Sequence, residues 1–321
     1  ISSIAAKSIA VLDTAQLAAL GSDQIAALDS KQIAALTTAQ FAGLTTEDLN
    51  AFTTEQIAKI SANQIAALTT AQMANLTTED LAAITDRQID AISTDAIAAM
   101  TTAQASVLSA KQLKNMTEEQ VQAMETADIG ALSTAAIAEM PEDLLTQLDT
   151  AQLAAFGSDQ IQALTSRQVS GLTTDQIAGM TTEDMNALTT SQMAALSSKQ
   201  IAVLTTAQVA GLSTDAVGAL TDKQVAALST DSIVALTTDQ VSQLSAKQIS
   251  AITSDQLTAM ETADIGVIAT GAISSLSDKI MSVLTTGQLA AFGSAQIEAL
   301  SSKQISALTT DQMAGLTTDD L

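Results

Sequence analysis

Large apolar residues return along this chain with a period of eight. From Ile4 to Leu316 every eighth residue is Leu, Ile, Met or Phe. A second series, five places further on in each octad, is apolar from Ile1 to Leu321, with Ala105 its one small member. Numbering the octad from Leu36, positions 1 and 6 hold all four Phe and all eleven Met, and the phase is kept without insertion or deletion. Independent domains joined by loops would not hold one phase for 321 residues. Each octad is therefore expected to be an equivalent piece of one continuous solenoid.

A single straight α-helix does not fit, because eight residues at about 100° each rotate the apolar stripe by roughly 80° per octad and spread it around the surface. A heptad coiled coil fails for the same reason. Period-2 alternation is missing, which counts against strands, although Thr-rich turns leave a β-solenoid open as an alternative. The positive signal is a capping box, Ser or Thr at position 2 and Gln at position 5, as in Thr37-x-x-Gln40 and Thr205-x-x-Gln208. Gln fills 26 of the 40 fifth positions and Asp six more, so a helix-start signal recurs in most octads. The expected fold is all-α, a superhelical solenoid with one short helix per octad over roughly positions 3 to 8. Gly21, Gly157, Gly293 and Pro141, all at position 2, fit junctions between helices. Ordering eight residues costs on the order of 10 kcal/mol, while burying two large apolar side chains returns about 3–6 kcal/mol. One octad cannot stand alone, and stability must come from stacking.

A longer repeat lies over the octads. Leu20-Gly21-Ser22 recurs as Phe156-Gly157-Ser158 and Phe292-Gly293-Ser294, and Met124–Gly130 recurs at Met260–Gly266. The shift is 136 residues, or 17 octads, giving blocks at 1–136, 137–272 and a partial 273–321 within one continuous array over 1–321. Ten of the twelve cations sit at position 4: Lys7, Lys31, Arg87, Lys111, Arg167, Lys199, Lys223, Lys247, Lys279 and Lys303. Within the 17-octad block they use five slots, as evenly spread as five can be over seventeen. Exposure alone explains why charges fall at position 4 but not why they are evenly spaced. A superhelix with about 3.4 octads, or 27 residues, per turn would align them as a basic spine flanked by acidic lines and available for lateral contacts. With stacked helices 8–10 Å apart, roughly 12 turns would make a rod on the order of 110 Å long.

Composition narrows the partners. The net charge is −23, from 35 acidic and 12 basic residues, so the surface repels phosphate backbones and anionic lipid headgroups. No nucleic-acid partner is expected. Hydrophobic residues make up 47% of the chain, yet no stretch approaches the roughly 20 apolar residues of a spanning helix, so no membrane insertion is expected. Trp, Tyr, Cys and His are absent, which removes disulfides, thiolate chemistry and imidazole. The chain opens inside a repeat, and no leader segment is visible at Ile1. This fits an excerpt of a longer protein.

Candidate chemistry is sparse. Acid pairs such as Glu47-Asp48, Glu79-Asp80 and Glu183-Asp184 lack the oxygen count and Gly-shaped turns of a calcium loop, and read as helix-start acids that complement the dipole. The Thr-Thr ladders at positions 2 and 3 have the regularity of ice-binding surfaces, but capping accounts for the first Thr and solvation for the second. Ser or Thr nucleophiles have no His partner, and an active site needs a unique place that identical octads do not supply. No catalytic residue, metal, cofactor or small-molecule substrate is expected.

The phrases Leu68-Thr69-Thr70-Ala71-Gln72-Met73 and Leu204-Thr205-Thr206-Ala207-Gln208-Val209 resemble octapeptide arrays of large secreted or surface proteins of Gram-negative bacteria, described as adhesin-like, haem-utilisation-like or fibre-forming. The resemblance covers the whole chain and carries no functional motif, and without His there is no haem ligand. It implies an extracellular or cell-surface structural protein. Three roles follow as expectations: a filament or matrix fibre formed by self-association, a passive stalk for a separate adhesive or enzymatic domain, or a partner-binding repeat module.

Overall fold

The computed structural model describes residues 3–316, and its contacts divide the chain into two units, Ile1–Leu164 and Thr165–Leu321, each described here by itself. Among the described residues there is no strand. Both units are built of α-helices four to six residues long, one per octad, with a single 3₁₀ turn at Ile89–Ala91 where the octad after Ile84 departs from the rule. The expected all-α solenoid of short helices is the observed fold.

The octad boundary is made by two extended residues in succession. Leu36 has φ −60° and ψ 129°, and Thr37 has φ −68° and ψ 159°, before Thr38–Ala42 turns helical. The Thr37 hydroxyl accepts from the Gln40 amide N–H at 3.2 Å, and the Gln40 Oε1 accepts from the Thr37 N–H at 2.8 Å. This is the reciprocal cap that the Thr-x-x-Gln spacing predicts. The preceding helix closes with a tightened last turn, the Leu36 N–H donating to Ile33 O at 3.1 Å. Helices this short are far below the roughly 12–15 residues at which isolated helices become even marginal in water, so packing must hold them.

Packing is between octads three apart. In the first unit Ala6–Ile9 stacks on Ser30–Ala35, and Thr102–Ser106 on Thr126–Ala131. In the second, Asp222–Ala227 stacks on Ala246–Ala251. Side-chain hydrogen bonds between turns span 25 to 31 residues and so bracket the 27-residue turn. Position 6 forms the centre of the core, 0–1% exposed from Ile9 to Leu289, and position 1 lines its edge at 1–8% from Leu28 to Leu300.

Position 8 is the close-approach site. A Cβ added at Gly211 would lie 2.8 Å from Thr182 Cγ2, and one at Gly43 would lie 3.1 Å from Thr14 Cγ2. Thr182, the second Thr of its pair, thus packs its methyl on the turn above, as does Thr14 behind Asp13, which solvation alone does not describe. At position 7, a Cβ on Gly130 would come within 2.9 Å of Ala155 O. By contrast Gly21, Gly157 and Gly293 at the junctions have nothing within 4 Å of a Cβ, and no described residue has a positive φ. Neither sterics nor backbone conformation requires glycine at those junctions.

Candidate functional site

Gln at position 5 does more than cap its own helix. Its Nε2 reaches down to the end of the helix one turn earlier. Gln40 Nε2 donates to Ile9 O at 2.9 Å and to Leu12 O at 2.7 Å. The same pair of bonds, 31 and 28 residues back, is made by Gln64 to Ile33 and Leu36, Gln112 to Leu81 and Ile84, and Gln248 to Val217 and Leu220. The last carbonyls of a helix lack the i+4 amide partners of its interior and keep at most a tightened last-turn bond, as Ile33 O does from the Leu36 N–H. One side chain therefore closes the start of its own helix and the end of another, and is nearly wholly buried in doing so, Gln64 at 2% and Gln40 at 3% exposure. Sequence reasoning assigned only the first role, because the donor half of the amide points to a residue 28 places away that no local motif contains.

Asp at position 5 accepts but, when ionised, cannot donate. Asp80 takes a hydrogen bond from the Thr77 hydroxyl at 2.7 Å. Burial pushes its pKa up, against the lowering effect of that hydroxyl, and Glu79 adds to the rise. Asp128 and Asp264 stand behind Glu125 and Glu261, which supply no hydroxyl and no side-chain cap. Burial first, and then the neighbouring Glu, raise both pKa values. The Asp128 Oδ2 is buried with no hydrogen-bond partner.

All ten position-4 cations are exposed. Stacking brings some of them onto neighbouring turns. The helix carrying Lys7 lies against the one carrying Lys31; those of Lys199, Lys223 and Lys247 stack in sequence, as do those of Lys279 and Lys303. The steps of four octads, such as Lys247 to Lys279, do not join helices stacked in this way. Arg87 sits in the irregular octad just before Ile89–Ala91, with Lys111 three octads on, and Arg167 lies near the start of the second unit.

A further regularity concerns the acids at position 3. Asp86, Asp222 and Asp278 each precede a position-4 cation, Lys111, Lys247 and Lys303, by 25 residues. That is the interval at which Gln122 Nε2 reaches Gln147 Oε1 at 3.3 Å on the next turn. Asp278 and Lys303 line one open groove together with Ser302 and Ser306. Asp278 and Lys303 are therefore neighbours within their own unit, a relation visible only once the turn length is known.

Among the described residues, no group of three or more acidic side chains is gathered closely enough to hold a metal ion, and no helix is long and apolar enough to cross a membrane. The geometry is that of a repeat scaffold with a charged exterior. No curated relative matches the chain by sequence. A family model described as ALTTAQ repeat matches residues 9–46, 41–78, 145–182, 177–214, 198–230, 211–238 and 281–318, together more than half of the chain. The chain belongs to the ALTTAQ repeat family.

Proposed function

We propose that this is a structural extracellular repeat protein of bacterial origin, whose solenoid associates laterally with copies of itself into filaments or a matrix and performs no catalysis. The observation that carries the reading is the run Lys199, Lys223 and Lys247, exposed on three successive stacked helices of a chain with net charge −23. A local line of positive charge on an acidic surface is complementary to the acidic lines of a second copy, and regular spacing multiplies each weak contact. Adhesin-like surface location is part of this proposal and rests on the resemblance of the repeats. The alternative is a passive stalk. It needs no lateral contact, and the shared groove of Asp278 and Lys303 favours it, because an acid there offsets that cation within its own unit.

Negative-stain imaging and sedimentation velocity across a salt series separate the two readings. Lateral assembly predicts bundles at low ionic strength that dissolve as salt screens exposed charge over about 10 Å at 0.1 M. It also predicts loss of bundles in the Lys199→Glu/Lys223→Glu/Lys247→Glu variant with unchanged circular dichroism. Dispersed monomers at every concentration and salt would overturn it in favour of the stalk.

A further inference from the structure

The inter-turn ladder of Gln side chains has single gaps at Asp48, Asp80 and Ala96 in the first unit and at Asp184, Ala216 and Ser232 in the second. At two places three successive rungs are missing. Asp128, Ala136 and Leu144 occupy consecutive fifth positions in the first unit, and Asp264, Ala272 and Ile280 do so in the second. Three octads are nearly a full turn. Along each of these turns no Gln amide reaches down, and the carbonyls of Met100, Leu108 and Met116, or of Leu236, Leu244 and Ile252, receive none of the bonds their counterparts receive elsewhere. The side-chain bonds that do cross are peripheral: Gln122 to Gln147 at 3.3 Å in the first unit, and Ser275 Oγ to Ala246 O at 2.9 Å in the second. Capping is weakened on the same turns, since Glu125, Pro141, Glu261 and Ala269 make no side-chain cap.

We propose that each unit carries a breakable seam, beneath the turn of Asp128, Ala136 and Leu144 in the first and beneath that of Asp264, Ala272 and Ile280 in the second, where neighbouring turns part before any others, and that proton uptake by Asp128 and Asp264 holds it shut. The apolar contacts of positions 1 and 6 continue across the seam, so the fold is continuous there. What is lost is the directional bonding that fixes one turn on the next. The carboxyl at 128 occupies the register from which Gln120 and Gln152 donate, and its buried Oδ2 has no partner. Binding a proton from solvent converts that oxygen to an O–H donor, the one function a carboxylate lacks relative to the Gln amide.

The charged neighbour that acts on each carboxyl opposes its ionisation, Glu125 beside Asp128 and Glu261 beside Asp264. Of the helices packed against that of Asp128, Thr102–Ser106 carries no charge and Thr150–Leu153 has only Asp149 at its start. Of those packed against that of Asp264, Thr238–Ser242 carries Asp239 and Thr286–Ala290 carries no charge. The seam recurs once per 136-residue block, so a long array would carry weak planes at fixed intervals. This inference does not rest on self-association and holds equally for a fibre or a stalk.

Hydrogen exchange followed by mass spectrometry on the full chain, at pH 4.5 and pH 7 with intrinsic rates corrected, is the test. At pH 7 the peptides covering 97–147 and 233–283 are expected to exchange roughly tenfold faster or more than those covering 57–92, and the gap is expected to narrow at pH 4.5. Asp128→Gln/Ala136→Gln and Asp264→Gln/Ala272→Gln restore two rungs each and are expected to slow their own seam by about tenfold and to remove its pH dependence. Equal exchange at seam and bridged turns at pH 7, or no slowing in the Gln variants, overturns the seam. Fast exchange that is the same at both pH values overturns the proton latch.

Discussion

Gln64 Nε2 donates to Leu36 O at 2.8 Å across 28 residues of chain, while Gln64 Oε1 accepts from the Ser61 N–H at 2.9 Å three residues away. One buried amide thus couples a local event, the start of a helix, to a non-local one, the seating of a turn on its predecessor. Repeated at most octads, the coupling makes helix formation and stacking a single process, which suits helices too short to persist alone.

Replacing Gln64 dissects the two halves. Gln64→Glu retains the acceptor oxygen and removes the donor, aiming a carboxylate at two carbonyls. Gln64→Ala removes both. Each is expected to cost about 1–3 kcal/mol, with Glu at pH 7 at least as damaging as Ala because an unpaired buried charge is worse than a lost hydrogen bond. Urea unfolding monitored by circular dichroism reads the difference. A fully tolerated Gln64→Glu would mean that the inter-turn bond contributes nothing.

Acid should favour the folded chain more than an ordinary carboxylate population allows. Asp80, Asp128 and Asp264 have pKa values raised above 3.8 by burial, so each binds its proton more tightly folded than unfolded. Their contribution is fully present below 3.8 and is lost as pH rises through the raised folded values. Melting temperature measured between pH 3.5 and 7 is expected to fall with rising pH, and to fall less steeply in the Asp80→Asn/Asp128→Asn/Asp264→Asn variant. The same slope in both proteins would remove these carboxyls from the account.

Glycine substitutions should divide by position. Gly130→Ala brings a methyl within 2.9 Å of the Ala155 carbonyl oxygen and is expected to destabilise by about 1–3 kcal/mol. Gly157→Ser places a hydroxyl at an open, extended N-cap with φ −78° and is expected to stabilise by roughly 0.5–1 kcal/mol. Thermal denaturation of the two single variants checks both signs.

The octad period, the Thr-x-x-Gln boxes and the two core positions were legible in the sequence because each depends on residues within eight places of one another. The 27-residue turn was legible less directly, through the even spacing of Lys7, Lys31, Arg87, Lys111 and their later counterparts. The downward reach of Gln40 to Ile9 and Leu12 was not legible, nor was the placing of Asp278 and Lys303 on one groove. Both depend on which octads the superhelix superimposes, and an invariant repeat offers no contrast from which to infer that. The missing rungs at Asp128, Ala136 and Leu144 stand in plain view in the sequence, yet they acquire meaning only when the ordinary Gln is seen to donate across turns.

The turn length is the claim on which all of this depends, and the absence of Cys from the chain makes it directly measurable. A Cβ on Gly43 lies 3.4 Å from Thr14 Cβ, close to disulfide spacing, across 29 residues. Oxidation of Thr14→Cys/Gly43→Cys is predicted to give rapid, near-complete intramolecular crosslinking. Thr14→Cys/Ala35→Cys and Thr14→Cys/Ala51→Cys, one octad short and one octad long, are predicted to crosslink little. Equal crosslinking of the three pairs, or preference for either control, would contradict the superhelix described here.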